Sequence, residues 1–306
     1  MPASVPVSSD LPEKGKTGFV ALLGRPNTGK STLLNTLLDC HLAAVSNKPQ
    51  TTRKRMLGIY NDADSQILFL DAPGVHRTKI AIDEAMAQSV DRVLEDADLV
   101  VCLIDPTREP GEEDRMAAEL AKLCGKPILL VLNKTDVATP AQQEASLAFY
   151  RKILPEAESL SLIATDAASA DHLLQRIKQL LPEGLFLFDR ENLTDAYERD
   201  VAAELIREVL LEELQQEIPH SIAVVINLWK VIENRIRIDA TLILEREAHK
   251  GIVIGQGGRM IKKIKRRSIQ KIAEFCSQKV DLDLFLKVLP NWRKQKNFLK
   301  EINLME

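Results

Sequence analysis

Three short patterns of chemically capable residues stand in order along the N-terminal half of the chain. The first, Gly24-Arg25-Pro26-Asn27-Thr28-Gly29-Lys30-Ser31, fits the phosphate-binding spacing G-x-x-x-x-G-K-[ST] in full. Its glycines let the backbone fold around a polyphosphate with the amides pointing inward, and a following helix N-terminus adds positive potential. Lys30 is placed to reach the β- and γ-phosphates and Ser31 to ligate Mg²⁺, so Gly24 through Ser31, with Thr32 behind them, form a candidate nucleotide cradle. The second pattern, Asp71-Ala72-Pro73-Gly74, follows about 40 residues later at the end of an apolar run. Asp71 would hold Mg²⁺ through water, and the Gly74 amide would sense the γ-phosphate. Between them, Thr51 and Thr52 lie in a polar loop, and either could complete the Mg²⁺ shell when a γ-phosphate is present.

The third pattern, Asn133-Lys134-Thr135-Asp136, selects the base. A carboxylate accepts from both N1–H and the exocyclic amine of guanine, a donor pair that adenine does not present. Asp136 would carry that discrimination, Asn133 would face the base edge, and the Lys134 stem would cover the ring. Val75 occupies the place where many small GTPases carry a water-orienting glutamine. Valine makes no hydrogen bond, which leaves Lys30, Asn27 and the Gly74 amide as catalytic candidates and implies slow intrinsic turnover. Asn27 is also a candidate ligand for a monovalent cation, K⁺, beside the phosphates.

These patterns need strand ends and helix starts to hold them. Phe19–Leu23 reads as a strand before the phosphate loop and Thr32–Leu38 as a helix after it. Leu57–Tyr60 and Gln66–Leu70 read as a hairpin, and 79–97, 112–124 and 170–181 as helices between the strands 99–105, 127–132 and 159–163. Such alternation predicts an α/β domain, a mostly parallel sheet with helices on both faces and ligands at the carboxyl ends of the strands. Pro182 and Gly184 mark the end of this domain, spanning 17–184.

After a linker at 185–195, a helix over 196–217 and strands over 221–230 and 235–245 lead to Gly255-Gln256-Gly257-Gly258. This G-x-x-G lies between two helical stretches, as in the KH pattern, where the tight loop lets a nucleic-acid backbone come close. From Arg259 to Lys279 there are eight basic residues and one acid, in a chain whose net charge is −3. That local excess marks a phosphate footprint, with Gly255, Gln256, Gly257, Gly258, Arg259, Lys262, Lys263 and Arg266 as the RNA-binding candidates. A last strand over 280–289 closes a smaller α+β domain at 196–290, and Trp292 in the basic tail 291–306 is offered either for base stacking or for packing.

The 306 residues suit two domains. Four scattered cysteines with no paired spacing read as thiols of a reducing compartment. No apolar run reaches the length of a membrane span. Residues 1–16 read as a flexible tail, and the chain is expected to be a cytoplasmic monomer.

Together with Lys48-Pro49-Gln50-Thr51-Thr52-Arg53 and Asp71-Ala72-Pro73-Gly74-Val75-His76, these motifs resemble the bacterial Era GTPase family over almost the whole chain. The resemblance implies a GTPase domain joined to a type II KH domain. It also implies binding to the 3′ end of 16S ribosomal RNA, assistance in small-subunit assembly, and a hydrophobic residue in place of the catalytic glutamine. The family's fifth guanine element reads Ser-Ala, whereas Ile163-Ala164-Thr165-Asp166-Ala167 stands here; the Ala164 amide remains a candidate partner for the guanine carbonyl. The reading is therefore a GTP-hydrolysing RNA-binding switch with GTP or GDP as ligand. Two alternatives stay open: an RNA-binding scaffold with a weakly active nucleotide site, and a peripheral signalling GTPase whose basic helix meets anionic lipid at the inner face of the cell membrane.

Overall fold

The computed structural model describes residues 13–46, 48 and 51–305. Residues 1–12 of the expected tail, and Asn47, Pro49 and Gln50 of the loop after the first helix, lie outside the described residues.

The apolar run before the phosphate loop is the second half of β1 (Lys14–Leu23), and the loop opens directly into α1 (Lys30–Leu38). The hairpin is β2 (Met56–Asn61) and β3 (Ser65–Asp71); then come α2 (Ala81–Asp96), β4 (Leu99–Ile104), α3 (Glu112–Leu123), β5 (Ile128–Leu132), α4 (Pro140–Arg151), β6 (Glu158–Ser161), α5 (Ala167–Leu180) and β7 (Glu183–Leu185). Among the described residues these strands form one sheet in the order β2-β3-β1-β4-β5-β6, with β7 added along β1. Only the β2–β3 and β1–β7 pairs are antiparallel. Central strands are buried on both faces, as their unbroken apolar runs require. Val20 and Leu22 face the core under α1 and α5, and Ala21 and Leu23 face the opposite one under α2 and α3.

The second domain runs α6 (Glu198–Glu213), β8 (Ile222–Ile232), β9 (Arg235–Leu244), α7 (Glu247–Ile254), α8 (Arg259–Cys276) and β10 (Lys279–Val288), followed by α9 (Lys296–Glu301). Its sheet order is β10-β9-β8, parallel between β9 and β10 and antiparallel between β8 and β9. This is the mostly one-sided α+β arrangement expected, with Ile264 and Ile272 of α8 fully buried.

Four expectations change. Lys14 to Lys16 are not tail: they pair with Glu183–Leu185, so Gly184 lies inside the first sheet rather than at its border. The stretch 185–195 is a strap rather than a loose linker, because Gln66 accepts from the Leu187 and Phe188 amides and donates to the Phe188 carbonyl, while the Ile59 amide donates to Leu193. The helix α4 was not foreseen, although Thr139 and Gln142 form a reciprocal capping box with Pro140 at the first helical position. The tail 291–306 is folded through residue 305: Trp292 is fully buried and, with Leu299 of α9, packs against Ala81 and Ile82 of the first domain and Ala223 and Ile243 of the second. Its indole donates to the Ser221 carbonyl at 2.8 Å, which removes Trp292 from base stacking in this arrangement.

Candidate functional site

The phosphate loop crosses from the carboxyl end of β1 to the start of α1. Gly29 caps that helix with φ 99°, a conformation that glycine adopts without strain, and a Cβ there would lie 2.2 Å from Asn133 Nδ2. Asn133 therefore reaches the loop directly: Nδ2 donates to the Thr28 carbonyl at 2.7 Å, and Oδ1 accepts from the amides of Lys134 and Ala164. The guanine motif and the phosphate loop thus meet. The Ala164 amide, however, is already held by Asn133 at 2.8 Å, which corrects its expected role as a free donor to the base. Asp136 is exposed, and Lys134 has φ 57°.

Lys30 is 6% exposed and donates to the Gly24 and Arg25 carbonyls at 3.0 and 2.9 Å, contacts that phosphate oxygens can replace. Burial lowers its pKa to about 8, partly opposed by Asp71. Asn27 has φ 64° and, with Pro26, Ser31, Thr32 and Gly74, lines a narrow cleft of about 50 Å³ above the loop. Arg25 departs from expectation: the residue is 3% exposed and does not line that cleft.

Ser31, Thr52 and Asp71 converge. Ser31 Oγ donates to Asp71 Oδ2 at 2.7 Å and lies 2.9 Å from Thr52 Oγ1, which itself donates to Asp71 Oδ2 at 3.3 Å. Thr51 instead turns its hydroxyl to the Lys48 carbonyl at 2.7 Å, so of the two threonines it is Thr52 that joins the cluster. Asp71 Oδ1 is buried without a hydrogen-bond partner among the described residues, and burial raises the carboxyl pKa. An all-oxygen set with an unsatisfied buried carboxylate oxygen fits a hard cation of the Mg²⁺ type. Gly74 presses against the loop so closely that a Cβ would lie 2.6 Å from Pro26 N, and the Val75 amide donates to the Gly24 carbonyl. The Val75 side chain is buried in the core beneath α2 and α3.

A second seam joins this site to the other domain. Arg53, 4% exposed, donates to the His220 and Ile222 carbonyls at 2.7 and 2.9 Å and lies 5.7 Å from the Trp292 ring centroid. Arg207 of α6 donates to the Thr51 carbonyl, and Lys48 donates to the Leu211 and Leu214 carbonyls at the end of that helix. Glu208 accepts from the Val45 amide and pairs with His41 and with Lys271 of α8. A cavity of about 370 Å³, lined among others by Thr52, Arg53, Glu204 and Arg207, lies along the seam. It is larger than the cleft above the phosphate loop, yet the nucleotide motifs line the smaller space.

In the glycine loop between α7 and α8, Gly257 and Gly258 have φ 59° and 76° and open space where a side chain would stand. The basic charge beyond it is less free than its count suggests: Lys263 pairs with Glu213, Arg267 with Glu212 and Glu213, Lys271 with Glu208 and Glu212, and Lys265 with Asp283. Arg259, Lys262 and Arg266 are exposed and form no ion pair among the described residues. No described helix is long and apolar enough to cross a membrane.

Comparison with known proteins agrees with both halves. Residues 19–134 match a family model described as 50S ribosome-binding GTPase, and residues 217–293 match the KH domain. GTPase Era of Lactobacillus helveticus is 41% identical over 94% of this chain and 95% of its own, and that of Clostridium perfringens 38% over 94% and 97%. Among solved structures, Aquifex aeolicus Era Y63A bound to GDP and AlF4⁻ superposes with a TM-score of 0.90 at 34% identity, covering 95% of this chain and all of that one. The same values hold for Era in complex with MgGDPNP and nucleotides 1506–1542 of 16S ribosomal RNA. With relatives this similar across both domains, the chain belongs to the Era family of GTPases.

Proposed function

We propose that this GTPase is a nucleotide-controlled RNA-binding switch that engages the 3′ region of 16S ribosomal RNA and assists small-subunit assembly in the cytoplasm. The observation that carries it is the seam: the loop that brings Thr52 to the metal cluster is bound, through Lys48, Thr51 and Arg53, to the second domain. A nucleotide that reorders Thr52 must therefore act on the RNA-binding domain as well. The matched family description names the 50S particle, whereas the relative similar across both domains carries a 16S fragment, and the reading follows the latter.

In this reading Lys30 and the loop amides hold the phosphates, and Ser31, Thr52 and Asp71 hold Mg²⁺, directly or through water. Asp136 and Asn133 select guanine, and the amide of Thr165, next to the engaged Ala164, meets the guanine carbonyl. Mg²⁺ when bound neutralises charge on the β- and γ-phosphates. With Val75 packed inward, the Gly74 segment is left to orient water and intrinsic turnover is slow; Asn27 would hold a K⁺ ion, which would supply positive charge beside the phosphates. Gly255 to Gly258 admit the RNA backbone, with Arg259, Lys262 and Arg266 on its phosphates.

The test is the affinity of a labelled 16S 3′-end oligonucleotide, read by fluorescence anisotropy with a GTP analogue and with GDP. The two nucleotides are expected to differ at least tenfold, and Gly257→Asp to abolish RNA binding while leaving GDP affinity intact. Equal RNA affinity in both nucleotide states overturns the switch, and undiminished binding by Gly257→Asp overturns the RNA site.

A further inference from the structure

The phosphate loop is tied to a buried charge network whose acids, Asp105 and Asp114, lie outside the nucleotide motifs. Arg25 Nη2 donates to the Asp105 backbone carbonyl at 3.2 Å and lies 3.3 Å from Asp105 Oδ2. Its Nη1 donates to the Pro26 carbonyl at 3.1 Å, and Nε stands 3.2 Å from Asp114 Oδ1. Asp114 is itself fixed by the Tyr150 hydroxyl at 2.9 Å and the Gly111 amide at 3.0 Å. Asp105 follows directly on β4; its Oδ1 accepts from the amide and hydroxyl of Thr107, which sets the carboxylate in one orientation. Its Oδ2 accepts from Lys134 Nζ at 2.7 Å, and the same ammonium donates to the Asn27 carbonyl at 2.9 Å.

One carboxylate oxygen thus serves two cations from two loops, Arg25 of the phosphate loop and Lys134 of the guanine motif. Asp105 is 6% exposed and Arg25 3%, so the loss of this acid leaves a buried guanidinium short of a counter-charge. Asn27 and Lys134, the residues joined through this ammonium, both hold a left-handed backbone, with φ 64° and 57°, which is uncommon for lysine.

We propose that Asp105 is a positioning residue for nucleotide retention: by bridging Arg25 and Lys134 it locks the phosphate-binding and guanine-binding loops into one unit, which must loosen before the nucleotide leaves. The proposal rests on the assignment of Asn133–Asp136 as the guanine loop, which the base-selectivity test of Asp136→Asn examines separately.

The experiment measures release of fluorescently labelled GDP by stopped flow and single-turnover GTP hydrolysis, in the full chain with Mg²⁺. Asp105→Asn is expected to speed GDP release at least fivefold while hydrolysis stays within twofold of the parent. Lys134→Met also speeds release, and the Asp105→Asn/Lys134→Met double variant is expected to release GDP less than twofold faster than the faster single one, because both changes open the same bridge. Arg25→Lys keeps a positive charge but cannot span Asp105, Asp114 and the Pro26 carbonyl, so it too should release GDP at least fivefold faster, and it carries the test if Asp105→Asn does not fold. Release within twofold of the parent, effects that multiply in the double variant, or an equal loss in hydrolysis overturns the proposal.

Discussion

Replacing Trp292 with leucine separates two roles that the basic tail allows. The indole N–H donates to the Ser221 carbonyl at 2.8 Å, the ring meets Phe298 edge-on with centroids 5.9 Å apart, and the Arg53 guanidinium stands 5.7 Å from its centroid. Leucine fills part of the space but leaves the buried carbonyl unpaired, at about 1–3 kcal/mol, and a cavity beside it. Large-to-small changes at fully buried aromatic sites cost about 3–5 kcal/mol when the replacement is alanine. The combined loss for Trp292→Leu is set at about 4 kcal/mol, allowing for the volume that leucine restores. Urea denaturation of the full chain measures it. If the ring instead stacked on a base, its removal would weaken RNA binding by about 1–3 kcal/mol, or roughly 5- to 150-fold. Oligonucleotide affinity, measured at 10 °C with a GTP analogue and with folding checked by circular dichroism, should stay within twofold of the parent. A variant that keeps its stability within 1 kcal/mol yet loses fivefold or more in RNA affinity would refute the packing role.

Nucleotide affinity should fall as pH rises, because Lys30 in the free protein titrates near 8 and bound phosphates favour its charged form, so binding takes up a proton. About nine-tenths of the protein carries that charge at pH 7 and about one-tenth at pH 9, which weakens GDP binding about tenfold between them; a flat profile in calorimetric titrations would remove Lys30 from the phosphate site. Asp136→Asn exchanges two accepted hydrogen bonds for an acceptor and a donor, so GDP affinity should fall at least about 100-fold and xanthosine diphosphate affinity should rise. Retained preference for GDP in competition binding would displace Asp136 from base recognition.

The features that were legible in the sequence are those whose chemistry demands particular residue types at short spacing. A backbone wrapped around phosphate needs Gly24 and Gly29, the metal cluster needs an acid at the end of a strand, and a guanine edge needs Asp136. The strands β4 and β5 were legible because burial on both faces leaves them no polar position to confuse the pattern. Even α4 was there to be found in Thr139 and Gln142, since a capping box is a local signal.

What stayed hidden is set by partners far along the chain. Thr51 and Thr52 are chemically identical, and what divides them is that Arg207, 156 residues away, takes the Thr51 carbonyl while the Thr52 hydroxyl meets Ser31 and Asp71. Arg25 sits inside the phosphate motif and so reads as a phosphate ligand, yet its counter-charges Asp105 and Asp114 come from the loop after β4 and from α3, each unremarkable alone. The count of basic residues in α8 overstates their free charge, because the acids that pair with them belong mainly to α6, more than 45 residues upstream. In each case composition named the group and topology decided its task. Net charge on a segment is therefore a weaker guide to RNA contact than the few cations that folding leaves exposed and without an ion pair among the described residues, here Arg259, Lys262 and Arg266 among the RNA-binding candidates, and these are the cations that the proposed phosphate footprint of the second domain would use.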